Sequence, residues 1–284
     1  MAQHLRLGIP SKGRLAELAA ELLKAAGLSF RRQERSLFAR VREADVEVAF
    51  LRTDDIPVLC AEGAIDLGVT GSDLLAESET DLPVRLKLGM GHCRLAVCVP
   101  DSSAARSPAD LAGRRIATSF PRVTRAHLAR HGAEGHIVQL SGSVEVMIAL
   151  GVADAIVDLV ETGSTLAANN LRILDEIGTY ETVLIQNPRT PHAGIADRVA
   201  RRLEGVVIAR AYSLLEYNVP AEKLADAERI TPGFNSPTVN RLEQQGWYSV
   251  RAMVPRGEVV AIMEQLDELG AEAILETAIS NCRL

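Results

Sequence analysis

Ala153-Asp154-Ala155-Ile156-Val157-Asp158-Leu159-Val160-Glu161-Thr162-Gly163-Ser164-Thr165-Leu166 decides the reading of this chain. From Ala155 to Val160 the residues are aliphatic except for Asp158, which predicts a buried strand. Side chains alternate along a strand, so Asp154, Ile156 and Asp158 share one face. A tight turn follows at Glu161–Thr165, and Leu166 begins a helix that continues to Asn169. A strand passing through a Gly/Thr turn into a helix belongs to an open α/β sheet, and such sheets bind ligands beyond the carboxyl ends of their strands. The turn has the makings of a phosphate cradle. Gly163 allows close approach of the backbone. Thr162, Ser164 and Thr165 supply hydroxyl donors, and the helix start supplies N–H groups. Asp154 and Asp158 are placed to grip sugar hydroxyls, or to hold Mg²⁺ that a pyrophosphate also binds. A capped turn with acids facing water would use the same residue types, so the short motif alone does not choose.

The flanking sequence repeats the strand–helix alternation. Leu5 to Pro10 predicts a strand, and Leu15, Leu18, Ala19, Leu22 and Leu23 predict a helix ended by Gly27. Val46–Leu51 and Ile65–Val69 are further strands, with Thr53-Asp54-Asp55 and Ser72-Asp73 as helix starts. The pattern restarts with strands at Leu95–Val99, Arg115–Thr118 and Ile137–Leu140. Helices are expected from Ser107-Pro108, over Val123–Arg130 and from Ser143 to Gly151. Strands near Arg172–Ile177 and Thr182–Gln186 follow, then a helix over Ala193–Leu203. Two tandem α/β units with mainly parallel sheets are the simplest account.

After residue 210 the order changes. Ala211–Tyr217, Thr238–Leu242, Trp247–Val254 and Ala273–Ala278 read as strands, and Ala221–Ala227 and Glu258–Leu269 as helices. That is β-α-β-β-α-β, the ferredoxin-like pattern.

The totals agree. The 284 residues are 47% hydrophobic and only 4% aromatic, so the core is aliphatic, as suits α/β architecture. Net charge is −6. Residues 211–284 hold six Lys/Arg against eleven Asp/Glu, while the first 210 are near neutral. No basic block marks a nucleic-acid face. No apolar run is long enough to span a membrane, and no signal core opens the chain, so a cytoplasmic protein is expected. Cys60, Cys93, Cys98 and Cys282 show no paired ligand spacing and read as plain thiols. His92, His127, His131, His136 and His192 read as surface or loop residues, without metal-ligand spacing.

The aliphatic run, the acid and the Thr-Gly-x-Thr turn resemble the phosphoribosyl-diphosphate (PRPP) motif of phosphoribosyltransferases, with Leu159 where the commonest version has a second acid. The wider run, with Gly142-Ser143-Val144-Glu145 before it, resembles ATP phosphoribosyltransferase. So do Pro10-Ser11-Lys12-Gly13-Arg14, Leu51-Arg52, Gly68-Val69-Thr70-Gly71-Ser72-Asp73, Ile116-Ala117-Thr118, Thr231-Pro232-Gly233, Ser236-Pro237-Thr238 and Gly246-Trp247. The resemblance covers the whole chain.

The resemblance implies a fold and a reaction. The family joins ATP to PRPP with Mg²⁺, in the cleft of two α/β lobes similar to type II periplasmic binding proteins. This is the first step of histidine biosynthesis. Its longer members add a regulatory βαββαβ domain that binds histidine as inhibitor. On this chain, residues 1–92 and 181–210 would form the first lobe, 93–180 the second with the PRPP loop, and 211–284 the regulatory domain. Thr162, Gly163, Ser164 and Thr165 would cradle the 5-phosphate. Asp154 and Asp158 would hold the ribose or its metal, with Glu161 assisting. Lys12, Gly13, Arg14 and Arg52 would face phosphates and nucleotide, and Asp73 and Glu145 would make polar contacts. Histidine would lie near Asn218, Thr238 and Ala273. Position 218 is acidic in some relatives, so Asn218 implies weaker or differently arranged inhibition. Homo-oligomers, dimers assembling into hexamers, are also implied. The competing reading is a solute-binding-like lobe pair with an amino-acid-sensing tail and no catalysis; the intact acid-plus-Thr-Gly-x-Thr loop argues against it.

Overall fold

A computed structural model describes residues 4–161 and 163–283. The chain opens with β1 (Leu5–Pro10), whose Leu5, Leu7 and Ile9 are buried. In α1 (Arg14–Ala25), Ala19, Leu22 and Leu23 are buried at helical spacing. Gly27 ends the helix as expected. It takes φ +72°, and the Leu28 N–H donates to the Leu23 carbonyl at 2.8 Å. There follow β2 (Phe38–Arg40), β3 (Val46–Leu51), α2 (Ile56–Ala61), β4 (Leu67–Gly71), α3 (Ser72–Glu77) and β5 (Val84–Lys87). A second set begins with β6 (Cys93–Pro100), β7 (Arg115–Thr118), α4 (Pro121–Arg130) and β8 (His136–Gln139). It continues through α5 (Val146–Ala149), β9 (Ala155–Val160), α6 (Ser164–Ala168) and β10 (Leu171–Tyr180). Then β11 (Thr182–Gln186) returns to the first sheet.

The first sheet has the order β2-β3-β1-β4-β11-β5, and the second β10-β6-β9-β7-β8. Both are mixed, where mainly parallel sheets were expected. Parallel pairing joins β1 to β3 and β4, and β7 to β8 and β9. Antiparallel pairing joins β11 to β4 and β5, and β6 to β9 and β10. Parallel neighbours need a crossover, usually a helix. The chain enters β6 and β11 directly from the other sheet, and these strands run against their neighbours.

Burial explains the uninterrupted apolar strand β6. Leu95, Val97 and Val99 face one core cluster with Phe120 and Leu128 of the α4 side, and Ala96 and Cys98 face another with Val144 and Leu166. A strand covered on both faces carries no polar alternation. In the first sheet, Gly68 brings α2 down onto β4. A Cβ there would stand 2.5 Å from a methyl of Ile56.

The described chain divides into two units, one holding residues up to Ala20 with Ser29–Asp197, the other Glu21–Leu28 with Arg198 onward. The division crosses α7 (Ala193–Ala211), which runs eight residues beyond the expected end at Leu203. In the second unit, β12 (Tyr212–Pro220), α8 (Leu224–Ile230), β13 (Thr238–Arg241), β14 (Trp247–Pro255), α9 (Val259–Leu269) and β15 (Glu272–Ala278) realise the expected βαββαβ order. The antiparallel sheet runs β13-β14-β12-β15. Its core joins Leu215, Tyr217 and Val219 to Ala227 of α8 and to Ile262 and Leu266 of α9. The buried Tyr217 hydroxyl is satisfied by Thr231 Oγ1 at 2.6 Å. The architecture is thus α/β: a core of two mixed sheets followed by a ferredoxin-like βαββαβ domain. No described helix is long and apolar enough to cross a membrane.

Candidate functional site

A cavity of about 1100 Å³ lies between the two sheets of the first unit. Strand ends build its wall. Arg14 follows β1, Asp54 follows β3, and Asp73 follows β4. On the other side, Ser119 and Phe120 follow β7, Ser141 follows β8, and Glu161 with Gly163–Leu166 follows β9. Carboxyl ends of parallel strands from both lobes therefore converge on one space, where open α/β sheets take their ligands. The volume exceeds the range usual for one drug-sized ligand, which leaves room for two substrates.

The turn after β9 has the conformation its glycine requires. Gly163 takes φ +80° and precedes α6. Ser164 and Thr165 are exposed on the cavity wall. Thr162 lies outside the described residues. Asp158 is half-buried at the carboxyl end of β9. Burial raises its pKa above the ordinary carboxylate value, and the neighbouring charge of Glu145 adds to this. The Leu159 N–H, 2.8 Å from the Asp158 carboxylate, pulls the other way. Glu145 lines the same wall at the start of α5. Across the cavity, Arg14 donates to Glu161 at 2.8 Å. Asp73 is 6% exposed, and burial raises its pKa, opposed by backbone N–H groups at its own helix start.

Asp154 corrects an expectation. Proposed as partner to Asp158, it stands at the amino end of β9, outside the cavity wall. Arg115 occupies it fully: the backbone N–H donates at 2.9 Å, Nε at 3.2 Å and Nη2 at 2.8 Å. These contacts lower its pKa to about 2. Sharing a face does not mean sharing a site, because four residues of strand span roughly 13 Å. Lys12, Gly13 and Arg52 also lie outside the wall; Lys12 and Arg52 are exposed beside Arg14 and Thr53, which do line it.

Several wall residues were not singled out from sequence. Glu77 is the most telling. Its two carboxylate oxygens accept the N–H groups of Arg122 at 2.8 Å and Val123 at 3.0 Å, so a side chain of the first lobe caps a helix of the second. Ser119 and Ser141 lie one and two residues past the ends of β7 and β8, and the strand-end rule would have found them. Nothing local marks Glu77.

Among the described lining residues, Arg14 faces six carboxylates: Asp54, Asp73, Glu77, Glu145, Asp158 and Glu161. Five carboxylates of this set, Asp54, Asp73, Glu77, Glu145 and Asp158, form no ion pair among the described residues; only Glu161 does, with Arg14. The cysteines are plain thiols, with Cys60 and Cys98 pushed up to about 12 mainly by burial. The histidine reading needs a second correction. His127 is buried, it hydrogen-bonds Asp175 at 2.8 Å, and His131 lies one turn on.

Known proteins match this architecture along its length. The family model described as ATP phosphoribosyltransferase covers residues 52–205, and the one described as HisG, C-terminal domain, covers 209–281. An ATP phosphoribosyltransferase of Rhodopirellula baltica is 64% identical over 99% of this chain and 94% of its own. One from Saccharopolyspora erythraea is 43% identical over 99% and 100%. Among solved structures, a chain of the ATP phosphoribosyl transferase (HisG:HisZ) complex from Thermotoga maritima aligns with TM-score 0.65 and 33% identity, over 73% of this chain and 99% of that one.

Proposed function

Because the chain belongs to the ATP phosphoribosyltransferase family, pentosyltransferases of histidine biosynthesis, we propose that its cleft condenses ATP with PRPP to N1-(5-phosphoribosyl)-ATP and diphosphate. The observation that carries this is the convergence of Asp158, Glu145 and the Gly163–Thr165 turn at the strand ends of one lobe, facing Arg14 and Asp73 from the other. Adenine N1 gives its electron pair to the sugar C1 while the C1–O bond to diphosphate breaks. The protein's work is positioning and charge control, with no nucleophile needed. Thr162, Gly163, Ser164 and Thr165 take the 5-phosphate. Asp158, supported by Glu145, takes the ribose hydroxyls or a metal on them. Arg14 releases Glu161 and turns to a phosphate, while Lys12, Gly13 and Arg52 flank the entrance. Asp73 contacts the nucleotide.

The acidic wall fits a hard divalent cation. Among the described lining residues, six carboxylates offer hard oxygen donors against one arginine, and two polyanions enter such a space only if their charge is neutralised. Asp158 with Glu145 would hold a Mg²⁺, which would supply that neutralisation when bound. In the second unit, Asn218 on β12 and Thr238 on β13 fall on the sheet face opposite α8 and α9, with the Glu216–Arg251 ion pair. Ala273, at φ +50°, lies where β15 slips register against Glu216 and Asn218. We read this face as the histidine-binding, inhibitory surface of a cytoplasmic homo-oligomer, weakened by the neutral Asn218.

The test is direct. The protein with ATP, PRPP, Mg²⁺ and pyrophosphatase should develop the ultraviolet absorbance of the product. Silence with ATP but turnover with another base would sink the assignment. Submicromolar inhibition by histidine would count against the role given to Asn218.

A further inference from the structure

His127 and His131 are one helical turn apart at the end of α4, and Asp175 meets them from β10. His127 is 4% exposed. Both Nε2 atoms converge on the same oxygen, Asp175 Oδ2, at 2.8 Å from His127 and 3.6 Å from His131. The rings are 4.7 Å apart, and all three donor atoms lie within 4.8 Å of one another. None of the three lines the cleft.

We propose that His127, His131 and Asp175 form a binding site for a divalent transition ion, best matched by Zn²⁺, that fastens α4 to β10. Two imidazole nitrogens and one carboxylate oxygen are a donor set for Zn²⁺ or Co²⁺; Mg²⁺ prefers oxygen alone. Three protein ligands leave a fourth position for water. Bonds of about 2.0–2.1 Å in tetrahedral array set the donors roughly 3.3 Å apart. The His127–Asp175 pair opens slightly to meet that, and the exposed His131 closes slightly. One neighbour must move. Arg130 Nη2 stands 3.5 Å from His127 Nδ1. Metal on Nε2 places the proton on Nδ1, so that guanidinium turns away. Arg130 is exposed, and the contact it gives up is long.

The site is separable from the catalytic cleft in both place and ion preference. The experiment titrates the metal-free, tag-free full chain with Co²⁺ in excess Mg²⁺, which occupies oxygen-only sites. One equivalent should produce the strong visible bands of four- or five-coordinate Co²⁺, Zn²⁺ should erase them, and both ions should raise Tm. His131→Ala, an exposed position, should fold normally, turn over normally with Mg²⁺, and bind Co²⁺ at least about tenfold more weakly. Asp175→Asn should also bind more weakly while keeping a hydrogen bond to His127. Only the pale bands of six-coordinate Co²⁺ on the parent chain, or undiminished binding by His131→Ala, would overturn the site and leave an ordinary His–Asp pair.

Discussion

The two ends of β9 each carry an aspartate, and their surroundings give the two opposite work. Asp154, at the amino end, is matched by the Arg115 guanidinium and backbone, and its pKa falls to about 2. Asp158, at the carboxyl end, has one N–H and no cation, and burial beside Glu145 raises its pKa. A satisfied carboxylate has little left to offer a ligand. A poorly compensated one is held at a cost that a metal or a sugar hydroxyl relieves. The strand thus has a foot held by an ion pair and a tip whose carboxylate lacks one, and the proposed function puts ligand binding at that tip.

The sharpest way to break this comparison is Asp158→Asn. With its folded pKa above the unfolded value, the ionised form is disfavoured by folding, so Asp158 lowers stability at neutral pH and regains it as pH falls between the two values. Asparagine keeps the acceptor for Leu159 and removes the charge. Tm at pH 7 should therefore rise while kcat/KM falls about 10²-fold or more. A variant that melts earlier, or that turns over at parental rate, would show that the tip is not a reactive group held under strain.

A smaller effect should come from the turn that Asp158 leads into. Gly163 holds φ +80°, where an L side chain costs about 1–2 kcal/mol. Gly163→Ala should raise KM for PRPP roughly tenfold and leave the apparent affinity for ATP nearly unchanged. Equal loss for both substrates would mean that the turn shapes the whole cleft and not one phosphate.

Much of this was legible in the sequence because it is written in local patterns. The period of Ala155–Val160, the Gly27 stop and the β-α-β-β-α-β tail each follow from neighbouring residues. What was not legible depends on partners far along the chain. Asp154 looks like Asp158 until Arg115, thirty-nine residues earlier, is placed beside it. Glu77 becomes a helix cap only when α4 arrives from the other lobe. The short strands β2 and β5 are set by pairing with β3 and β11, and their own residues give little sign of it. His127 and His131 stand four residues apart, yet they read as surface residues until Asp175 is placed beside them.

The smallest effect tests the foot of the strand. Asp154→Asn removes one partner of an ion pair that is 35–44% exposed, so solvent screening limits the loss to about 0.5–1 kcal/mol. Arg115 keeps the Gly151 carbonyl, 2.9 Å from its Nη1, and so stays in place. For a carboxylate whose folded pKa is depressed, the stability is present above the unfolded value near 4 and fades as pH falls toward the folded value of about 2. The Tm gap between parent and variant, followed by calorimetry, should be constant above about pH 5 and narrow steadily below it. Turnover should stay within about twofold of the parent, since Asp154 lies outside the cleft wall. A tenfold loss of kcat with Tm unchanged would move Asp154 back into the site, and the two ends of β9 would then have to be read as one group.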